Sequence, residues 1–141
     1  MRKKTISMAL FIGLFVPGLG VLIAATTLNG PMQELFNSYK AAAGVKAFSA
    51  ADGKKLYFTK RIHSEKKEER SCTSCHMDNP ASEGKSSAGK AIDPLSPAVS
   101  KARFTDPKKV EKWFTRNCTW VFERECTAKE KGDFIAYMMS L

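Results

Sequence analysis

The chain has 141 residues, 43% of them hydrophobic and 26% charged, and carries a net charge of +9. That balance excludes a disordered tail, and the length favours one domain, roughly 110 residues once a leader is set aside, whose small core gains from a cofactor or disulfide staple. The basic residues are scattered and the aromatics fall at core-like spacings, which argues against nucleic acid and leaves an acidic protein or a membrane surface as the partner suited to the charge.

The N-terminus, "MRKK" followed by "ISMALFIGLFVPGLGVLIAA", has the charged and apolar regions of an export signal. Residues 1–28 are therefore expected to be a signal peptide or an uncleaved N-terminal anchor, because the apolar run is about long enough to span a bilayer. Cleavage would remove Arg2, Lys3 and Lys4 and leave +6, and the product would be periplasmic. The remaining 29–141 form the domain.

"PMQELFNSYKAAAG" reads as the first helix of that domain, with Pro31 at its start, Gly44 at its end and Leu35, Phe36 and Tyr39 available to pack. Ser49 and Asp52 read as a helix start of the capping-box type, after which Gly53, Leu56 and Tyr57 share one face. The charge run "EKKEER" that follows reads as solvated surface.

"SCTSCHMDNP" contains Cys72, Cys75 and His76, the C-x-x-C-H of covalent haem attachment. Two thiols at this spacing can form thioethers to the two vinyl groups of one haem, and the adjoining histidine is carried beneath the ring to ligate iron. A zinc site would want further ligands at matching spacing, and a thioredoxin-like pair would want a βαβ context; the sequence has neither. From Met77 to Ala102 the chain is rich in Gly, Ser and Pro and reads as a loop wrapping one haem edge, where a carbonyl of Pro94 or Pro97 would accept the free N–H of His76.

"TDPKKVEKWFTRNC" reads as a helix capped by Asp106, with Val110, Trp113, Phe114 and Asn117 recurring at intervals of three and four. Asn117 is an odd residue to end an apolar stripe, unless it is the helix C-cap. Cys118 and Cys126 are the two thiols left over in an exported chain, and a disulfide between them is the default. "AKEKGDFIAYMMSL" closes the chain as a helix with Phe134, Ile135, Met138 and Leu141 as core positions and Tyr137 beside them. Gly53 on the earlier helix would let an aromatic residue of this one come close.

The function turns on the sixth iron ligand. Met77 is next to the proximal histidine and cannot reach the opposite face; Met138, Met139 and His63 are candidates. With methionine the protein is a simple His/Met electron-transfer cytochrome c.

The crossed pair "GKKLY" and "DFIAYMMSL" resembles the terminal helices of class I cytochromes c. The motifs "RFTDPKKVEKWFTRNC", "REC" and "EKGDFIAYM" together with C-x-x-C-H more specifically resemble the sphaeroides haem protein (SHP) family, oxygen-binding class I cytochromes c with an asparagine as distal ligand. The resemblance, from about Pro31 to Leu141, implies an all-α fold of three to five helices around one haem c. It implies Cys72 and Cys75 as attachment sites, His76 as proximal ligand, Asn117 as distal ligand and Cys118–Cys126 as a disulfide beside it. It further implies reduction by a dihaem cytochrome c and a membrane b-type cytochrome, followed by transient binding of O2, NO or CO when the amide leaves ferrous iron. A neutral, hard amide oxygen suits ferric iron better than ferrous. Catalysis of NO or O2 chemistry is less favoured than gas binding, since no acid/base pair is evident.

Overall fold

The computed structural model describes residues 27–141. The leader expected over 1–28 therefore lies outside the described residues, apart from Thr27 and Leu28; among the described residues no helix is long and apolar enough to cross a membrane.

Among the described residues five helices carry the fold: α1 (Gly30–Ala43), α2 (Ala50–Phe58), the single-turn α3 (Thr73–His76), α4 (Pro107–Phe122) and α5 (Ala128–Met139). Two antiparallel ladders of two residues per strand interrupt them. Strands β1 (Arg61–Ile62) and β2 (Glu69–Arg70) pair Arg61 with Arg70, and β3 (Gly84–Lys85) and β4 (Ala91–Ile92) pair Gly84 with Ile92. Both ladders lie in segments whose composition reads as loop, because two residues per strand leave no periodicity to detect.

The helix ends follow local chemistry. The Asn29 side chain accepts from Met32 N–H at the start of α1, and Gly44 closes it with a left-handed φ of 65°. Asp106 accepts from the N–H groups of Lys108 and Lys109 and Pro107 takes the first turn of α4. Thr127 and Glu130 form a reciprocal capping box on α5. At α2 the box is divided between distant residues. Ser49 Oγ accepts from Asp52 N–H at 3.1 Å, whereas the Ser49 N–H is taken by Asp133 Oδ1, from α5, at 2.8 Å. Asp52 turns outward to Lys129.

Helices α2 and α5 cross in close contact. A Cβ at Gly53 would stand 1.9 Å from the Asp133 carbonyl oxygen and 2.9 Å from Tyr137 Cβ, so only glycine allows the approach. Met32, Tyr39, Phe114 and Ile135 form one buried cluster, and Tyr57, Leu95, Tyr137 and Met138 a second. Leu141, expected in the core, lies past the last turn of α5 and is exposed.

Candidate cofactor site

One cavity of about 730 Å³ opens between these elements, within the range of roughly 300–1,000 Å³ common for cofactor sites. Leu56 of α2, Phe134 of α5 and Phe114 and Val121 of α4 give it apolar walls. Cys72, Cys75 and His76 line it on one segment and Asn117 on α4; Cys118 and Cys126, which the structure joins, line it too. All six site residues read from the sequence thus meet at one cavity, although 54 positions separate the outermost pair.

The segment bearing the thiols is held from behind. A Cβ at Gly84 would stand 2.2 Å from the Cys75 carbonyl oxygen, so glycine lets β3 lie directly against α3. After His76 the chain turns sharply through Met77, which takes a left-handed φ of 61° despite its side chain. The Tyr57 hydroxyl secures this turn, donating to the Met77 carbonyl at 2.5 Å with the His76 carbonyl 3.0 Å away. Tyr57, read from its spacing as a core residue of α2, is fully buried and also positions this segment.

Burial sets the protonation states. It pushes the His76 imidazole down to about 4, with the Arg103 guanidinium adding to the effect, so the ring is neutral and its nitrogen lone pair is available. Burial pushes the Cys72 thiol up to about 12. Such a thiol is not the thiolate of a redox or nucleophilic pair, and Cys72 and Cys75 are unbridged. The Pro94 carbonyl, expected alongside that of Pro97 as an acceptor for His76, accepts from Arg103 Nε at 2.9 Å.

The opposite wall is α4. Asn117 lies inside this helix, whose C-cap is Glu123, so the C-cap reading of Asn117 is overturned. Its neighbours on the cavity are Trp113 and Trp120, one turn to either side. Each indole carries an arginine, Arg116 at 5.2 Å from the Trp113 ring and Arg70 at 4.7 Å from that of Trp120.

Among the described residues no methionine lines the cavity. Met138 is 0% exposed in the core beside Tyr57, Met139 packs against the other core cluster, and Met77 is 50% exposed. His63 is also elsewhere, with Nδ1 accepting from the N–H groups of Glu65 and Lys66 at 3.2 Å.

Residues 43–138 match a family described as a domain of unknown function, DUF1924. The cytochrome c-type protein SHP of Cereibacter sphaeroides is 38% identical over 124 residues, which cover 83% of this chain and 95% of that protein. The chain belongs to the SHP family of c-type cytochromes. The structure of oxidised SHP, an oxygen-binding cytochrome c, superposes with a TM-score of 0.71 at 37% identity, covering 78% of this chain and 96% of SHP. The solution structure of Methylophilus methylotrophus cytochrome c'', which concerns haem-ligand detachment, gives 0.67 at 37% identity and covers 79% and 94%. The fold is that of a class I cytochrome c, and the cofactor of the SHP family, one haem c, fits the donor set: two unbridged thiols and a neutral imidazole on an apolar cavity.

Trp113 and Trp120 also belong to this site, with Arg70 against the second indole, and none of the three is among the site residues expected from the sequence. The segment expected as a loop wrapping one haem edge does reach the cavity, through Ser86, Ser87 and Lys90, and it does so as the β3–β4 hairpin. The tryptophans were legible, since both fall within a turn of Asn117 on the same helical stripe. The hairpin was not, because its contribution depends on a two-residue ladder.

Proposed function

We propose that this chain is a periplasmic haem protein that accepts an electron from a redox partner and then admits a diatomic gas, O2 or NO, to the side of the haem faced by Asn117. Cys72 and Cys75 supply the thioether sulfurs and His76 the proximal imidazole, while Cys118–Cys126 forms a disulfide next to the distal residue. A bound haem would supply a redox-active iron for His76 and Asn117 to ligate. Asn117 would offer an amide oxygen, a hard donor suited better to ferric iron than to the softer ferrous ion. The freed amide can then donate a hydrogen bond to the incoming gas.

The observation that carries this reading is the sharing of one cavity by Cys72, Cys75, His76 and Asn117 while Met138, Met139 and His63 are engaged elsewhere. A dihaem cytochrome c and a membrane b-type cytochrome are the electron donors in this reading. The lysine-rich start of α4, with Lys108, Lys109 and Lys112 exposed, suits an acidic donor surface.

Absorption and electron paramagnetic resonance spectra of the oxidised and reduced protein test it. The ferrous form is expected to be high-spin and to bind carbon monoxide, and Asn117→Met to remain low-spin after reduction. A wild-type ferrous protein that is low-spin and refuses carbon monoxide removes the gating step.

A further inference from the structure

Arg70 ends the run "EKKEER", which reads as solvated surface, yet it is 4% exposed. Its guanidinium is used on every side. Nη1 donates to the Trp120 carbonyl at 3.0 Å, Nε donates to Glu68 at 2.8 Å, Nη2 also donates to Glu68, and the flat face lies 4.7 Å from the Trp120 ring centroid. The Trp120 carbonyl is among the last four of α4, which have no N–H partner inside the helix, so Arg70 supplies a donor that the helix lacks.

The position of these two residues gives the contact its meaning. Arg70 precedes Cys72 by two residues, and Trp120 follows Asn117 by one turn on the same cavity wall. One guanidinium therefore joins the segment that carries the thiols and His76 to the helix that carries the amide. A second tie lies nearby, where Glu123, the C-cap of α4, accepts from the Ser64 N–H at 2.9 Å, but this one reaches the tip of the β1–β2 hairpin instead of the thiol segment. Only a planar fork can stack on an indole, bond a carbonyl and hold a carboxylate together; an ammonium cannot.

We propose that Arg70 is a positioning residue that sets the spacing between the Cys72–His76 segment and Asn117, and with it how firmly the amide holds ferric iron and how readily it leaves. The proposal rests on the reading of Asn117 as the distal ligand. Loosening the tie lets the end of α4 drift outward and lengthens the reach required of Asn117. Ferric protein then spends more time without its sixth ligand, while the proximal side is unchanged.

The test uses the haem-loaded ferric protein and reads the high-spin fraction by electron paramagnetic resonance. Arg70→Lys is expected to raise that fraction on the order of threefold or more. The same substitution in an Asn117→Ala background is expected to add nothing, because the group being positioned is gone. Glu68→Gln, at a half-exposed site, loosens the guanidinium without removing it and is expected to give a smaller rise; it also serves as the measurement if Arg70→Lys fails to load haem. Ser64→Ala, which removes the Ser64 hydroxyl's bond to Glu123 and leaves only the backbone half of the hairpin's own tie, is expected to lower stability without moving the spin state. If Asn117→Ala changes the ferric spectrum while neither Arg70→Lys nor Glu68→Gln does, the positioning role is overturned and the distal assignment stands. If Asn117→Ala changes nothing, the assignment falls and the positioning role with it.

Discussion

The carboxylate of Asp133 on α5 accepts the backbone N–H of Ser49 at 2.8 Å and so caps the first turn of a helix 84 residues earlier in the chain. The same carboxylate takes the Lys129 ammonium at 2.6 Å and is buried at the α2–α5 crossing. Asp133→Ala leaves a partly buried N–H without an acceptor and is expected to cost about 2–3 kcal/mol, read from the urea midpoint. Asp133→Asn keeps an acceptor and is expected to cost about 1 kcal/mol.

Two glycines at helix contacts differ in what opposes a side chain. At Gly53 an added Cβ meets the Asp133 backbone carbonyl at 1.9 Å, which cannot move without moving α5; at Gly132 it meets the Phe48 ring at 2.2 Å, which can turn aside. Gly53→Ala is therefore expected to destabilise by about 3 kcal/mol or more and Gly132→Ala by about 1–2 kcal/mol, with thermal unfolding as the measurement. Equal costs would mean that the crossing yields more easily than its geometry implies.

Glu130 is held down to about 2 by the Arg124 guanidinium and by the Thr127 N–H. A carboxyl with a folded-state value below its ordinary one stabilises the fold above about pH 4.5, and that contribution is lost as the pH falls toward 2. Glu130→Gln retains the cap and loses the ion pair, so at pH 7 the variant is expected to be less stable by about 1 kcal/mol, screening allowed for. The gap should close as the pH approaches 2, which acid titration of the unfolding midpoint checks.

Lys108 and Lys112 are exposed on α4 beside the cavity wall and are free to face a partner. Reversing both to glutamate is expected to slow reduction by an acidic donor protein about tenfold at low ionic strength and to have little effect at high salt. Stopped-flow reduction across a salt series measures this. A rate indifferent to both substitution and salt would place docking on another face.

Residues with local chemistry were legible in the sequence. Pro31, Gly44, Asp106 and Pro107 mark helix ends through their own backbones, and Cys72, Cys75 and His76 carry their spacing with them. Asn117 stood out because an amide interrupts an apolar stripe. Contacts between distant segments were not legible. The second half of the Ser49 cap lies at Asp133, and the partner of Arg70 at Trp120, so a run of charges read alone suggested nothing but hydration. Leu141 kept the helical spacing while the helix had ended, since periodicity does not announce where the turns stop.

The Tyr57 hydroxyl, resting on the carbonyls of His76 and Met77, ties the crossing of α2 and α5 to the turn that presents the imidazole. Phe134, the contribution of α5 to the cavity wall, comes from a part of the polypeptide synthesised after α4. A growing chain that has emerged only as far as α4 already bears both thiols, the imidazole and the amide, yet it has no C-terminal wall and no Asp133 to finish α2. Docking of the twelve-residue α5 thus acts as a stopper, completing the chamber and fixing its proximal turn in a single step.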